Sequence, residues 1–276
     1  MSEPFGARLW AAVAAHGPLC VGIDPHAALL DAWGLPADAS GAETFGRTVV
    51  AALAGRVALV KPQAAFFERF GAAGMAALER TIADARAAGL LVLTDVKRGD
   101  IGTTAAAYAQ AYLDPASPLC SDALTVSPYL GFGSLQPFLD AANAHGGGVF
   151  VLALTSNPEG PEVQHARRPD GRTVAGSMLA AVAACNAGAS PQGSVGVVVG
   201  ATIGDTTEDL AVNGPVLVPG LGAQGGGADD LRRIFGAVVP HVVPAVSREI
   251  LRAGPSAAGL RAAADEAAGA FAAALR

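Results

Sequence analysis

Eight short, nearly unbroken apolar runs punctuate this chain, and the stretches that separate them are helical in period. The runs occupy residues 19–23, 58–60, 90–94, 123–126, 149–154, 195–199, 216–218 and 242–246. Continuous rather than alternating hydrophobicity marks strands buried on both faces, the property of a parallel sheet covered by helices. Ala-rich segments of helical spacing lie at 43–53, 72–88, 103–113, 135–144, 174–187, 207–210 and 229–235, with a last helix over 256–275. Eight such units in 276 residues predict a closed α/β barrel, the (β/α)8 TIM barrel, rather than an open sheet. No linker or shift of composition divides the chain, so residues 1–276 are read as one domain.

Composition narrows the function classes. Hydrophobic residues make up 51% and charged residues 15%, against a usual charged share of about 25%, which excludes a disordered chain and supplies one large core. The net charge of −6 and the absence of a dense Lys/Arg run disfavour nucleic acid as a partner. No apolar run reaches about 18 residues without a charge or a Pro/Gly break, so no membrane span is expected. Glu3 and Arg8 sit where a signal peptide would be basic and then apolar, and a cytoplasmic protein is expected. Cys20, Cys120 and Cys185 form no CxxC pair and the five His no HxxxH or HExxH spacing; three buried thiols in a reducing compartment, and no metal, are expected. Nucleophilic serine chemistry of the GxSxG type has no sequence support.

In such a barrel the chemistry sits at the C-terminal ends of the strands. The apolar runs end there in Asp24, Lys61, Asp95 with Lys97, Ser156 and Arg248, a convergence of polar groups in a chain poor in charge. The densest cluster is Asp95-Val96-Lys97-Arg98-Gly99-Asp100-Ile101-Gly102-Thr103-Thr104. At i and i+2 of a persisting strand, Asp95 and Lys97 share a face, and two carboxylates flanking an ammonium form an alternating charge array. A catalytic array and a buried ion-pair cluster both fit that pattern. The run from Pro219 to Gly227 holds GxGxxG at Gly220, Gly222 and Gly225. With one strand left after it, a phosphate-binding loop fits better than a dinucleotide fingerprint, and a plain Gly-rich turn stays open. Segment 156–172, SNPEGPEVQHARRPDGR, is polar and aperiodic, and reads either as a functional flap or subunit contact or as a tolerated insertion.

Stretch 95–104 resembles the signature of the orotidine 5′-phosphate decarboxylase family, Asp-x-Lys-x-x-Asp-Ile-x-x-Thr, at every fixed position. Further pieces agree in order: Gly22-Ile23-Asp24-Pro25, Lys61-Pro62-Gln63, Pro219-Gly220-Leu221-Gly222-Ala223-Gln224-Gly225-Gly226 and Ser247-Arg248. Thr155-Ser156-Asn157-Pro158-Glu159 is similar to the longer bacterial branch. The resemblance implies decarboxylation of orotidine 5′-monophosphate to UMP and CO2, the last step of de novo UMP synthesis, by a homodimeric barrel without cofactor or metal. It implies a charged tetrad of Lys61, Asp95, Lys97 and Asp100, with Lys97 the proton donor to C6. Asp100, Ile101 and Thr104 would act in the partner's site. Asp24 and Lys61 would hold ribose hydroxyls, Ser156 the pyrimidine edge, Gln224 both base and phosphate, and Arg248 the phosphate. Pro219 and Ser247 would line the substrate; many members carry Gly where Ser247 stands, a change that keeps a backbone N–H contact. Two rivals remain at this stage: a Mg-dependent sugar-phosphate decarboxylase or aldolase on a related barrel, and a non-catalytic nucleotide-binding sensor.

Overall fold

A computed structural model describes residues 3–221 and 228–275. Eight strands run in parallel: β1 (Cys20–Ile23), β2 (Leu59–Pro62), β3 (Leu91–Arg98), β4 (Ala123–Val126), β5 (Gly148–Leu154), β6 (Val195–Val199), β7 (Val216–Pro219) and β8 (Val242–Val246). They pair in chain order, and β1 closes on β8 through Cys20↔Ala245 and Val21↔Val246. The expected (β/α)8 barrel is the observed fold, and all eight apolar runs are strands, because a chain segment buried on both faces excludes polar residues whichever way its side chains point.

Strand alternation divides the apolar residues into two cores. Outward positions such as Val21, Val60, Val92 and Leu124 pack on the helices in the larger cluster. Inward positions Leu59, Leu93, Phe150, Leu217 and Val243 fill the barrel and are joined from below by Phe5 and Leu9 of helix Phe5–His16. That helix was not expected from the sequence. It stoppers the N-terminal end: Phe5 is fully buried and meets Phe150 edge-on at 5.9 Å. Gly148 is required beneath it, since a Cβ there would lie 2.3 Å from the Phe5 ring.

Two expectations are corrected. Residues 207–210 form no helix. Thr206 Oγ1 accepts from Glu208 N (3.2 Å) and Asp209 Oδ1 from Ala211 N (2.9 Å), local side-chain bonds that compete with a helical turn, so β6 and β7 are joined by irregular chain. Segment 156–172, aperiodic in sequence, holds helix Gly160–Gln164, and its Arg167 bridges Thr173 just beyond it. Cys20 and Cys120 are buried as expected, but Cys185 is exposed. Among the described residues no helix is long and apolar enough to cross a membrane.

Candidate active site

Above the inward apolar layer the same strand positions turn polar. On β2 the inward residue after Leu59 is Lys61, and on β3 those after Leu93 are Asp95 and then Lys97. Asp95 is the hub. Its Oδ2 accepts from Lys61 Nζ at 3.1 Å, and its Oδ1 accepts from Lys97 Nζ at 2.5 Å and Thr125 Oγ1 at 2.8 Å. The Lys61 side chain is 9% exposed and that of Lys97 45%, so one ammonium is sealed in the wall while the other projects into the opening. Burial opposes ionisation of Asp95, but the charges of Lys61 and Lys97 and the Thr125 hydroxyl outweigh it and hold the carboxyl well below the usual carboxylate range. Burial likewise acts against the Lys61 ammonium, and Asp95 followed by Asp24 more than compensates, raising its pKa. Beneath them Cys20 has its thiol pushed up to about 12, chiefly by burial, and is inert.

The array lines a cavity of about 480 Å³ at the C-terminal mouth, together with Asp24, Thr125 and Arg248. Asp24, just after β1, accepts from Ser247 Oγ at 2.6 Å through Oδ2, while its buried Oδ1 has no hydrogen-bond partner among the described residues. Such an atom needs a donor from elsewhere. Gly22 makes room for this pair, because a Cβ there would stand 2.7 Å from Ser247 Cβ. Arg248 opens helix Arg248–Leu251 after β8 rather than lying on the strand, and among the described residues no carboxylate pairs with it. A cation-lined end of the cavity follows.

A second cavity of about 980 Å³ adjoins the first at Lys97, Leu152, Val198 and Pro219, and Ser156 lies on its wall. Ser156 is held there by its neighbour: Gln164 accepts from Thr155 N at 2.9 Å and donates to Thr155 Oγ1 at 2.7 Å. Asp100, Ile101 and Thr104 do not join the cluster. Asp100 accepts from Ile101 N at 2.8 Å and makes no ion pair among the described residues, while Ile101 is 63% exposed and Thr104 is exposed. Gln224 and the glycines from Gly222 to Gly227 lie outside the described residues; Gly220 before them has φ +94°.

Asp24, Lys61, Asp95, Lys97 and Arg248 thus stand around one mouth of the barrel. The family model for orotidine 5′-phosphate decarboxylase / HUMPS matches residues 17–263. The chain belongs to the orotidine 5′-phosphate decarboxylase family. Orotidine 5′-phosphate decarboxylases of Salinispora arenicola and Streptomyces coelicolor are 66% and 63% identical to it over 264 residues, 95% of each chain. The OMP decarboxylase structure of Leishmania donovani superposes with a TM-score of 0.77 at 33% identity, covering 99% of both chains. A Streptomyces avermitilis crystal structure assigned to the same activity reaches a TM-score of 0.97 at 62% identity, over 99% of this chain and 96% of that one.

Within this candidate site, sequence reasoning missed Thr125 and His26. Thr125 is fully enclosed in β4, and a lone Thr at an inward position of an otherwise apolar strand was the available signal. His26 lines the cavity and packs on Phe66 with ring centroids 4.1 Å apart. Burial lowers its pKa, Arg248 and Arg69 act the same way, and Asp24 opposes them, which favours a neutral imidazole. Nothing in the local sequence marks it.

Proposed function

We infer that this protein is a cytoplasmic, homodimeric decarboxylase converting orotidine 5′-monophosphate to UMP and CO2 in pyrimidine biosynthesis, with Lys97 as the proton donor and no cofactor. The activity follows from family membership over nearly the whole chain. The observation that carries the residue assignment is the Lys61–Asp95–Lys97 array, in which one ammonium is sealed and the other faces the cavity.

Loss of CO2 from C6 breaks the C6–carboxyl bond and leaves its electron pair in an sp² orbital that the ring delocalises poorly. Stabilisation towards the upper end of the about 8–23 kcal/mol that enzymes supply is therefore required. The Lys97 ammonium stands where that pair develops, stabilises it, and transfers a proton to C6; the resulting amine regains its proton from solvent. Asp95, held ionised by its two lysines, faces the substrate carboxylate and disfavours the bound ground state relative to neutral CO2. Asp24 Oδ1, without a partner among the described residues, and Lys61 suit ribose hydroxyls, Ser156 the pyrimidine edge, and Arg248 the phosphate. Pro219 and Ser247 line the same cleft. Gln224 is assigned to base and phosphate by motif alone.

The dimer completes the tetrad. Asp100 makes no ion pair with Lys97 of its own chain, whose ammonium is bound to Asp95, and the large apolar side chains of Ile101, Tyr129 and Leu130 are 63%, 78% and 53% exposed. A second copy covering this patch would bring Asp100 and Thr104 to the partner's cleft. A metal-assisted reading has less support, because Asp95 is saturated by two ammonium groups, and among the described residues no cluster of His, Cys, Asp or Glu suits a cation.

The deciding experiment follows orotidine 5′-monophosphate absorbance with EDTA-treated enzyme and with Lys97→Ala. EDTA should leave turnover unchanged, and Lys97→Ala should keep the native circular dichroism spectrum while losing about 10²–10⁴-fold or more in kcat. Normal turnover by a folded Lys97→Ala protein would reject the proton-donor role.

A further inference from the structure

Lys97 has φ +45°, in the left-handed region that a non-glycine side chain occupies only where its surroundings over-determine it. The cause is a bulge. Thr94 pairs with Leu124 and Arg98 with Val126, so residues 95–97 face Thr125 alone. Thr125 Oγ1 accepts from both Val96 N (3.0 Å) and Lys97 N (2.9 Å) and lies 2.8 Å from Asp95 Oδ1. A hydroxyl has one proton and two lone pairs. With both lone pairs taken by the bulge, its proton has one destination, the Asp95 oxygen that also receives Lys97 Nζ. Thr125 is 1% exposed, so water does not substitute for any of these bonds.

Arg98 secures the outer side of the same bulge. It donates to Val96 O at 3.2 Å and pairs with Glu68, but these bonds touch neither the carboxylate nor the ammonium. Thr125 joins backbone and charge in one atom.

We propose that Thr125 is a positioning residue for proton transfer: its hydroxyl holds the β3 bulge and fixes Asp95 Oδ1, and through both it aims the Lys97 ammonium at the reacting carbon. The proposal rests on the assignment of Lys97 as proton donor. A residue on the neighbouring strand thereby sets the geometry of the chemical step through its bonds to the bulge and to Asp95.

Steady-state kinetics on Thr125→Val, Thr125→Cys and Thr125→Ser, with Lys97→Ala as control, test this. Val keeps the shape and removes the hydroxyl, Cys keeps the volume with a weak hydrogen-bonding atom, and Ser restores the hydroxyl. Val and Cys should each lower kcat by about 10- to 100-fold while KM stays within about threefold, as expected for misalignment near 1 Å. Ser should return kcat to within about threefold of the native value, because the hydroxyl that completes the network is back. A purely structural role would lower the melting temperature and leave kcat alone, and that result overturns the proposal. So does a loss confined to KM, or a Ser variant as impaired as Val. Should Thr125→Val fail to fold, the Cys and Ser pair gives the same comparison. A dead Lys97→Ala with a fully active Thr125→Val removes Thr125 alone, whereas an active Lys97→Ala removes the site assignment on which the proposal stands.

Discussion

Asp95 concentrates most of the site's electrostatics in one side chain. Replacing it by Asn leaves Lys61, sealed in the barrel wall, without its counter-ion, and breaking a buried pair by removing one partner costs about 3–5 kcal/mol. Asp95→Asn should lose turnover and show a drop of that order in urea denaturation. The pH dependence has a definite sign. The folded-state pKa of Asp95 is depressed, so its stabilisation is complete above the unfolded value near about 4 and disappears as pH falls towards the folded value. That of Lys61 is raised, so its share is complete below about 10.4 and disappears as pH rises through the higher folded value. The stability gap between native protein and Asp95→Asn should therefore be flat near neutrality and shrink below about pH 4, as acid titrations with denaturant will read. At the other end of the cleft, Arg248→Ala should raise KM for orotidine 5′-monophosphate by about 10- to 100-fold through loss of a charge-assisted bond. Binding of the unphosphorylated nucleoside should be unaffected, and an equal loss for both ligands would exclude a phosphate role.

Elements place these residues, and not all elements carry equal weight. Strand alternation lifts Lys61 and Asp95 onto the inner face because Leu59 and Leu93 below them already point inward. The β3 bulge then turns Lys97 back towards the cavity. Helix Phe5–His16 serves stability at the opposite end of the barrel. Phe5→Ala should cost about 3–5 kcal/mol in chemical denaturation, the range for truncating a fully buried aromatic, with kcat and KM of the folded fraction unchanged. A kinetic defect larger than the folding defect would show that the stopper is coupled to the mouth.

At the scale of the whole molecule the prediction concerns the proposed dimer. Equal mixtures of Lys97→Ala and Asp100→Ala chains, each inactive alone, should recover about one quarter of native activity, since half of random dimers are hybrids and each hybrid holds one intact site. No recovery by hybrids proven by mass spectrometry would locate Asp100 outside the partner's site. Tyr129→Asp with Leu130→Asp should make activity fall steeply on dilution by charging the apolar patch, with the oligomeric state followed by sedimentation.

Strand number, barrel class and the polar ends of β1, β2, β3 and β8 were legible from residue order, because burial on both faces and the end of an apolar run are properties of contiguous chain. The signature around Lys97 was legible for the same reason. Thr125, His26 and the helix over Phe5–His16 were not, and the helix expected at 207–210 was lost to hydrogen bonds between neighbouring side chains and backbone. Those features depend on which strands lie side by side and in what register, on a bulge that sets three residues against one, and on a barrel end that must be filled once the strands have closed. Local spacing carries no record of such contacts, which arise from packing between segments far apart in the chain.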